Sequence, residues 1–283
     1  MSAVRDAASE LRTVAMPLDH PEAVAWAEGS IWCGTEAGDL LRVDPATGTP
    51  EIVASTGGFL LGLAFDGSGN CYACDQGRDQ VLRISPHGEV DAFVEAVDGS
   101  PLCTPNFPVF SADGTLWVTD SGSAWEADDG YLFRVRPGHD PERITTDPLG
   151  FPNGLALSSD ESTLYVVEPR LPGVVAYAID GMHVGQRSEL VRLPGTVPDG
   201  LAVDAEHTLY VSCWRPDRIY RLRLNVEPET YLDDPTAEYL CTPTNVCFGG
   251  SELTVLYIAS LGGWAISAIQ TDVPGQPLRY PRL

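Results

Sequence analysis

The chain has 283 residues, with 17 basic and 40 acidic side chains and a formal net charge of −23. So large a carboxylate excess repels phosphate backbones and anionic lipid, which excludes nucleic acid and membranes as expected partners and suits a protein that gathers cations. All 17 basic residues are arginine; with no lysine amine there is no Schiff-base or pyridoxal chemistry and no Walker-type phosphate loop.

From the N-terminus, Met1 to Asp6 lacks the apolar core of a signal peptide, and no run of 18 apolar residues follows anywhere. Glu10 to Leu18 reads as a lone strand. A pattern then recurs six times: a polar or small residue, a short apolar strand, a turn rich in Asp and Gly, and a second strand of aromatic and β-branched residues. The copies begin at Glu22, Leu61, Asn106, Asn153, Asp199 and Thr244. Their second strands are predicted at Ser30 to Gly34, Asn70 to Cys74, Thr115 to Thr119, Thr163 to Val167, Thr208 to Ser212 and Val255 to Ala259. Third strands follow, among them Asp39 to Val43, Gln80 to Ile84, Tyr131 to Val135, Val174 to Ile179 and Arg218 to Leu222.

Three or four short strands per unit of about 45 residues is the pattern of a propeller blade. The expected fold is therefore all-β: a single six-bladed β-propeller across residues 1–283. The sixth copy runs out of chain after its third strand, Trp264 to Ile269, so Glu10 to Leu18 is expected to close the last blade and remove an open sheet edge. The seven cysteines are odd in number and scattered through apolar runs, which predicts free thiols and a cytoplasmic protein. Cys71 and Cys74 form a CxxC, but on a strand residues i and i+3 face opposite sides, against a shared redox or metal role.

The residue opening each first strand lies at one rim of the central channel, where all six copies meet. Four of these six carry a carboxylate or carboxamide oxygen: Glu22, Asn106, Asn153 and Asp199. Two carboxylates and two neutral carbonyls suit a hard cation completed by water; no histidine or cysteine stands at these positions for zinc. The second strand returns to the same rim, ending near Glu36, Asp75, Asp120, Glu168, Cys213 and Ser260. Asp120 and Glu168 follow the two Asn-bearing strands and read either as general bases, as orienters of the Asn side chains, or as satisfied turn carboxylates. Trp125, Trp214 and Trp264 lie just beyond these ends, where they could wall a pocket; Trp32 and Trp117 read as core. Of five dispersed histidines, only His20 is near a candidate ligand.

Phe151-Pro152-Asn153-Gly154-Leu155-Ala156-Leu157-Ser158 and Val197-Pro198-Asp199-Gly200-Leu201-Ala202-Val203-Asp204 resemble signatures of the gluconolactonase and regucalcin (senescence marker protein) family, as does Pro243 to Gly250 with Leu256 to Ser260. The resemblance spans about residues 18–270. It implies a six-bladed propeller holding one divalent cation, calcium first, with magnesium, manganese or zinc as alternatives. It also implies that Glu22, Asn106, Asn153 and Asp199 are the ligands. Sugar lactonases of the family usually carry Arg where this chain has Thr104 and Asp where it has Phe107. The glutamate expected after the third blade's second strand has no clear counterpart, although Glu126 is near. These changes point to a less polar lactone or ester. The expected activity is cation-assisted hydrolysis, with Asp199 both ligand and water-activating base and with Asp120 or Glu168 as further candidates for the base. A phosphotriester hydrolase and a non-catalytic calcium-binding propeller remain alternatives. No GxSxG elbow is present.

Overall fold

The repeat folds blade by blade because its turns are set locally. Asp66 Oδ1 accepts the backbone N–H groups of Ser68 and Asn70, and Asp204 Oδ1 accepts those of Glu206 and Thr208. Such side-chain-to-backbone bonds fix a tight reversal, and Gly69 at φ 80° takes the left-handed conformation that this turn needs. A computed structural model describes residues 5–224 and 226–283; Met1 to Val4, where a leader would begin, lies outside them.

Among the described residues, six sheets of four or five mainly antiparallel strands follow one another along the chain, as predicted, and a two-stranded ribbon of Ala96–Val97 with Ser100–Pro101 lies between the second and third. Their innermost strands are Pro21–Ala27, Leu60–Phe65, Pro105–Phe110, Leu155–Leu157, Val197–Val203 and Pro243–Gly249, and these number the blades one to six. The second strands are Ser30–Thr35, Cys71–Asp75, Leu116–Asp120, Thr163–Glu168, Leu209–Arg215 and Val255–Ser260. Arg12–Ala15 pairs antiparallel with Ala265–Gln270, with Thr13 opposite Ser267, so the N-terminal segment supplies the outer strand of blade six. Not anticipated is Arg5–Asp6, which adds in parallel to Glu229–Asp233 at the edge of blade five.

Six hydrophobic clusters fill the spaces between neighbouring blades. Both faces of a blade are therefore buried, which explains why second strands such as Cys71–Asp75 read as unbroken apolar runs. Cys71 packs between blades one and two and Cys74 between blades two and three, on opposite faces of one strand. Trp32 and Trp117 are buried in two of these cores.

The innermost strands are irregular where they begin. Pairing slips between Pro21 and Ala23, between Leu60 and Leu63, between Pro105 and Pro108, between Pro198 and Leu201, and between Pro243 and Asn245. In five of the six blades a proline stands just before the rim position. Proline has no N–H to give the ladder, so it sits at a strand's first residue, and the bulge that follows re-aims the next side chain. In this way Glu22, Asn106, Asp199 and Thr244 are turned out of the regular pleat. In blade four regular pairing begins only at Leu155, which leaves Asn153 ahead of the strand.

Candidate metal centre at the channel mouth

Hydrogen bonds between neighbouring blades fix the backbone around the rim. Thr119 Oγ1 donates to Asn153 O at 2.9 Å, Gly154 N–H to Asp199 O at 2.9 Å, Ser212 Oγ to Thr244 O at 2.8 Å, and Thr244 Oγ1 to Glu22 O at 2.9 Å. The carbonyls at these rim positions are occupied, and the side chains remain to define the site. Two glycines permit the approach: a Cβ on Gly154 would lie 2.6 Å from Asp199 O, and one on Gly200 would lie 2.7 Å from Thr244 O.

The structure brings three of the four sequence-predicted ligands into direct interaction. Asn153 hydrogen-bonds the Asp199 carboxyl group, and the Glu22 carboxylate acts electrostatically on Asp199. Asn106 joins through one intermediary: its Nδ2 donates to Ser121 Oγ at 2.9 Å, and Ser121 Oγ donates to the carbonyl of Pro152, next to Asn153, at 2.8 Å.

Burial, together with the nearby Glu36 charge, pushes the Glu22 carboxyl up to about 7, although a hydrogen bond to Thr244 opposes the rise. Burial, and then the Glu22 charge, pushes Asp199 well above the usual carboxylate range against its bond to Asn153. The Glu22 residue keeps partial exposure as a whole, yet its Oε2 is sealed from solvent and has no hydrogen-bond partner. The charges acting on the pair are thus all negative, and isolated buried carboxylates are costly. A cation bound between them would relieve both groups. The donors, two carboxylates and two carboxamides, fit a hard divalent ion with oxygen ligands.

Asp120 and Glu168 do different work. Asp120 is fully buried, and its oxygens accept the backbone N–H groups of Cys103, Thr104 and Gly122 at 2.9 to 3.0 Å, with Tyr131 also bonded to it. Every lone pair is used, which leaves none to take a proton from water. Glu168 accepts Gly150 N–H at 2.9 Å and pairs with Arg187 at 2.5 Å. Asp75 repeats the arrangement by accepting Phe59 N–H at 2.9 Å. These carboxylates anchor the loops that lead into their own blades, and Asp120 and Glu168 thereby position the segments carrying Asn106 and Asn153. Of the expected roles for Asp120 and Glu168, these bonds favour the orienting one over that of a general base.

Aromatic side chains stand above the mouth. Trp264 is 47 % exposed, with its ring 4.7 Å from that of His20. His20 Nδ1 is 3.4 Å from Glu36 Oε2. Trp125, 42 % exposed, lies 4.9 Å from Phe151. Thr104 does not offer its hydroxyl to the mouth, since Oγ1 donates to Gly122 O at 2.9 Å. Phe107 packs in the core between blades three and four. Sequence reasoning missed Thr119, Ser121, Ser212 and the structural part played by Thr244. The signal was present: Thr119 and Ser212 occupy one register, each a residue before the second-strand position that pairs with the rim proline, Asp120 opposite Pro105 and Cys213 opposite Pro198.

A closed ring of six four- or five-stranded blades, with Glu22, Asn153 and Asp199 gathered at one rim, defines the class as a six-bladed propeller. The chain belongs to the family described as SMP-30/Gluconolactonase/LRE-like region, whose profile matches residues 20–262. It is 26% identical over 254 residues to a pentonolactonase of Haloferax volcanii, covering 87% of this chain and 81% of that protein. It is 26% identical over 276 residues to a 6-deoxy-6-sulfogluconolactonase of Pseudomonas putida, covering 86% and 87%. A calcium-binding regucalcin from Agrobacterium tumefaciens has the same fold, with a TM-score of 0.83, 16% identity and complete coverage of both chains.

Proposed function

We propose that this protein hydrolyses a lactone or related ester of lower polarity than an aldonolactone, and that it depends on one divalent cation, calcium first. The observation that carries the reading is the pair of buried carboxyl groups, Glu22 and Asp199, each raised by burial and facing the other at a channel mouth. Relatives named as lactonases cover most of the chain, and a structural neighbour is named as calcium-binding, which supports both parts.

Glu22, Asn106, Asn153 and Asp199 would hold the cation. When bound, a hard divalent ion supplies Lewis-acid polarisation of the substrate carbonyl and stabilises the negative charge that grows on its oxygen. The remaining work falls to the chain. Asp199, held in place by Asn153, takes a proton from the attacking water. The water oxygen bonds to the carbonyl carbon and the ring C–O bond breaks. The proton on Asp199 then passes to the departing alkoxide, giving a hydroxy acid. The Asn153 amide that orients Asp199 holds the same carboxyl in reach of both the water and the departing oxygen, so one group can accept and then return the proton. Trp264, Trp125 and Phe151 present apolar faces to the substrate and exclude water beside the reacting bond. Thr104 and Phe107, which replace charged residues of sugar lactonases, leave little to bind a polyhydroxylated ring.

The test is a substrate panel: alkyl-substituted lactones, polyhydroxylated lactones, aryl esters and phosphotriesters, each with chelator and with calcium restored. Turnover of alkyl lactones above the sugar lactones, lost with chelator and regained with calcium, supports the reading. Preferred phosphotriester turnover replaces the substrate class. A calcium-dependent rise in melting temperature with no turnover of any member makes the protein a binding propeller instead.

A further inference from the structure

The opposite end of the channel holds a second cavity, unrelated to the carboxylates. The C-terminal segment crosses that face as a strap and touches the hairpin turn of every blade. Ala205 N–H donates to Pro274 O, Gly275 N–H to Leu253 O, Arg279 to Ser159 O, Tyr280 Oη to Trp26 O, and Gly67 N–H to Pro281 O. Leu283 lies against Gly114. Between the strap and the inner strands lies a half-open cavity of about 160 Å³.

Its walls follow from the repeat. Three residues past each rim position stand Ala25, Ala64, Val109, Ala156, Ala202 and Cys247, and all six line the cavity. Small side chains at one register from every blade leave the middle of the channel unfilled. Close-packed interiors ordinarily avoid such space. Most of the remaining lining is also aliphatic or aromatic. Glu161 reaches the edge but is committed to Ala112 N–H at 2.9 Å and Arg279 at 2.8 Å. One buried side-chain acceptor remains without a partner. Gln276 lines the cavity, and its Nε2 donates to Leu157 O at 2.8 Å, which fixes the orientation of the amide. Its Oε1 is buried with no partner.

We propose that this cavity is a binding site for a small neutral molecule of about one ring, apolar over most of its surface and carrying one hydroxyl or N–H group that donates to Gln276 Oε1. An apolar space of roughly 150 Å³ accepts one benzene ring, so the volume suits a single ring. A buried acceptor without a partner selects for a donor on that ring, since leaving it unpaired costs as much as a lost hydrogen bond. A charged ligand is excluded by the desolvation it would suffer. The site does not depend on the hydrolase reading.

The probes are phenol and toluene, which match in shape and differ in the donor, titrated calorimetrically against the full chain. Phenol is expected to bind one per chain, about tenfold more tightly than toluene. Ala64→Leu and Cys247→Leu fill the ring of small residues from blades two and six, which supply no candidate cation ligand; each is expected to abolish binding of both probes, with circular dichroism checking the fold. Gln276→Met keeps the bulk but removes the acceptor, and is expected to erase the preference for phenol while toluene still binds. Failure of both probes to saturate overturns the proposal. So does binding that survives in either folded filling variant, because the probe then sits elsewhere. A phenol preference unchanged in Gln276→Met overturns the role of the amide.

Discussion

Replacing Glu22 with Gln should stabilise the cation-free protein at alkaline pH while removing its response to calcium. The carboxyl rises from 4.5 to about 7 on folding. A carboxyl raised in the folded state is harmless below its unfolded value, because both states are then protonated. As pH climbs from about 4.5 to about 7 the unfolded chain releases its proton first, and stability falls. At about 1.4 kcal/mol per pH unit, the full penalty above pH 7 is about 3 kcal/mol. Gln has nearly the same shape and no charge, so the penalty disappears and its amide can donate to Asp199. For a chain of this length, about 2 °C per kcal/mol gives an expected rise of about 6 °C in melting temperature at pH 8 in chelator. Near pH 4 the two proteins should melt within about 1 °C of each other, on the same linkage argument. Calcium at a hundredfold excess over its dissociation constant should add about 2.7 kcal/mol to the native protein and nothing to Glu22→Gln. Scanning calorimetry at both pH values, with and without calcium, measures all four quantities. A variant that melts lower than the native protein at pH 8 in chelator, or that keeps the full calcium shift, refutes the account of a buried charge waiting for a counter-ion.

Asp199→Asn should lower kcat by about a thousandfold, with circular dichroism unchanged, because proton transfer from water then has no acceptor. Calcium affinity measured by titration should strengthen as pH rises through about 7, since binding must displace the protons that burial favours on Glu22 and Asp199. Asp120→Ala strands the N–H groups of Cys103, Thr104 and Gly122, and chemical denaturation should show a loss of about 3 kcal/mol together with weaker calcium binding through the displaced Asn106. Gly154→Ala places a Cβ 2.6 Å from Asp199 O, so the variant should lose calcium-dependent stabilisation even though the substituted side chain is not a ligand.

The blades were readable because one pattern was repeated six times, and any ambiguity in one copy was corrected by the others. Second strands such as Leu116–Asp120 and Thr163–Glu168 extend one residue further toward the rim than their apolar runs suggest. Asp120 and Glu168 look like turn residues, and only the loops they anchor reveal that they complete the strand. The candidate ligands were visible because they share a register across blades. The proline-led bulge that aims three of them and Thr244 was equally present in the letters, at Pro21, Pro105, Pro198 and Pro243, but its effect depends on pairing with a second strand. Contacts across long sequence separation carried no local signal. Thr244 Oγ1 meets Glu22 O across 222 positions, and the strap from Pro274 to Leu283 has no periodicity to announce that it crosses six turns.

Closure by Arg12–Ala15 against Ala265–Gln270 would also govern when the proposed ion can arrive. Glu22 leaves the ribosome early and Asp199 late, and the circle that sets them side by side is complete only after the last blade has recruited its outermost strand from the other end of the chain. On the proposed reading, cation capture would be a terminal event of assembly rather than a nucleus for it. An ion seated there would act as a latch between the beginning and the end of synthesis, so that pulling the ring open at its seam and stripping the ion would become the same act.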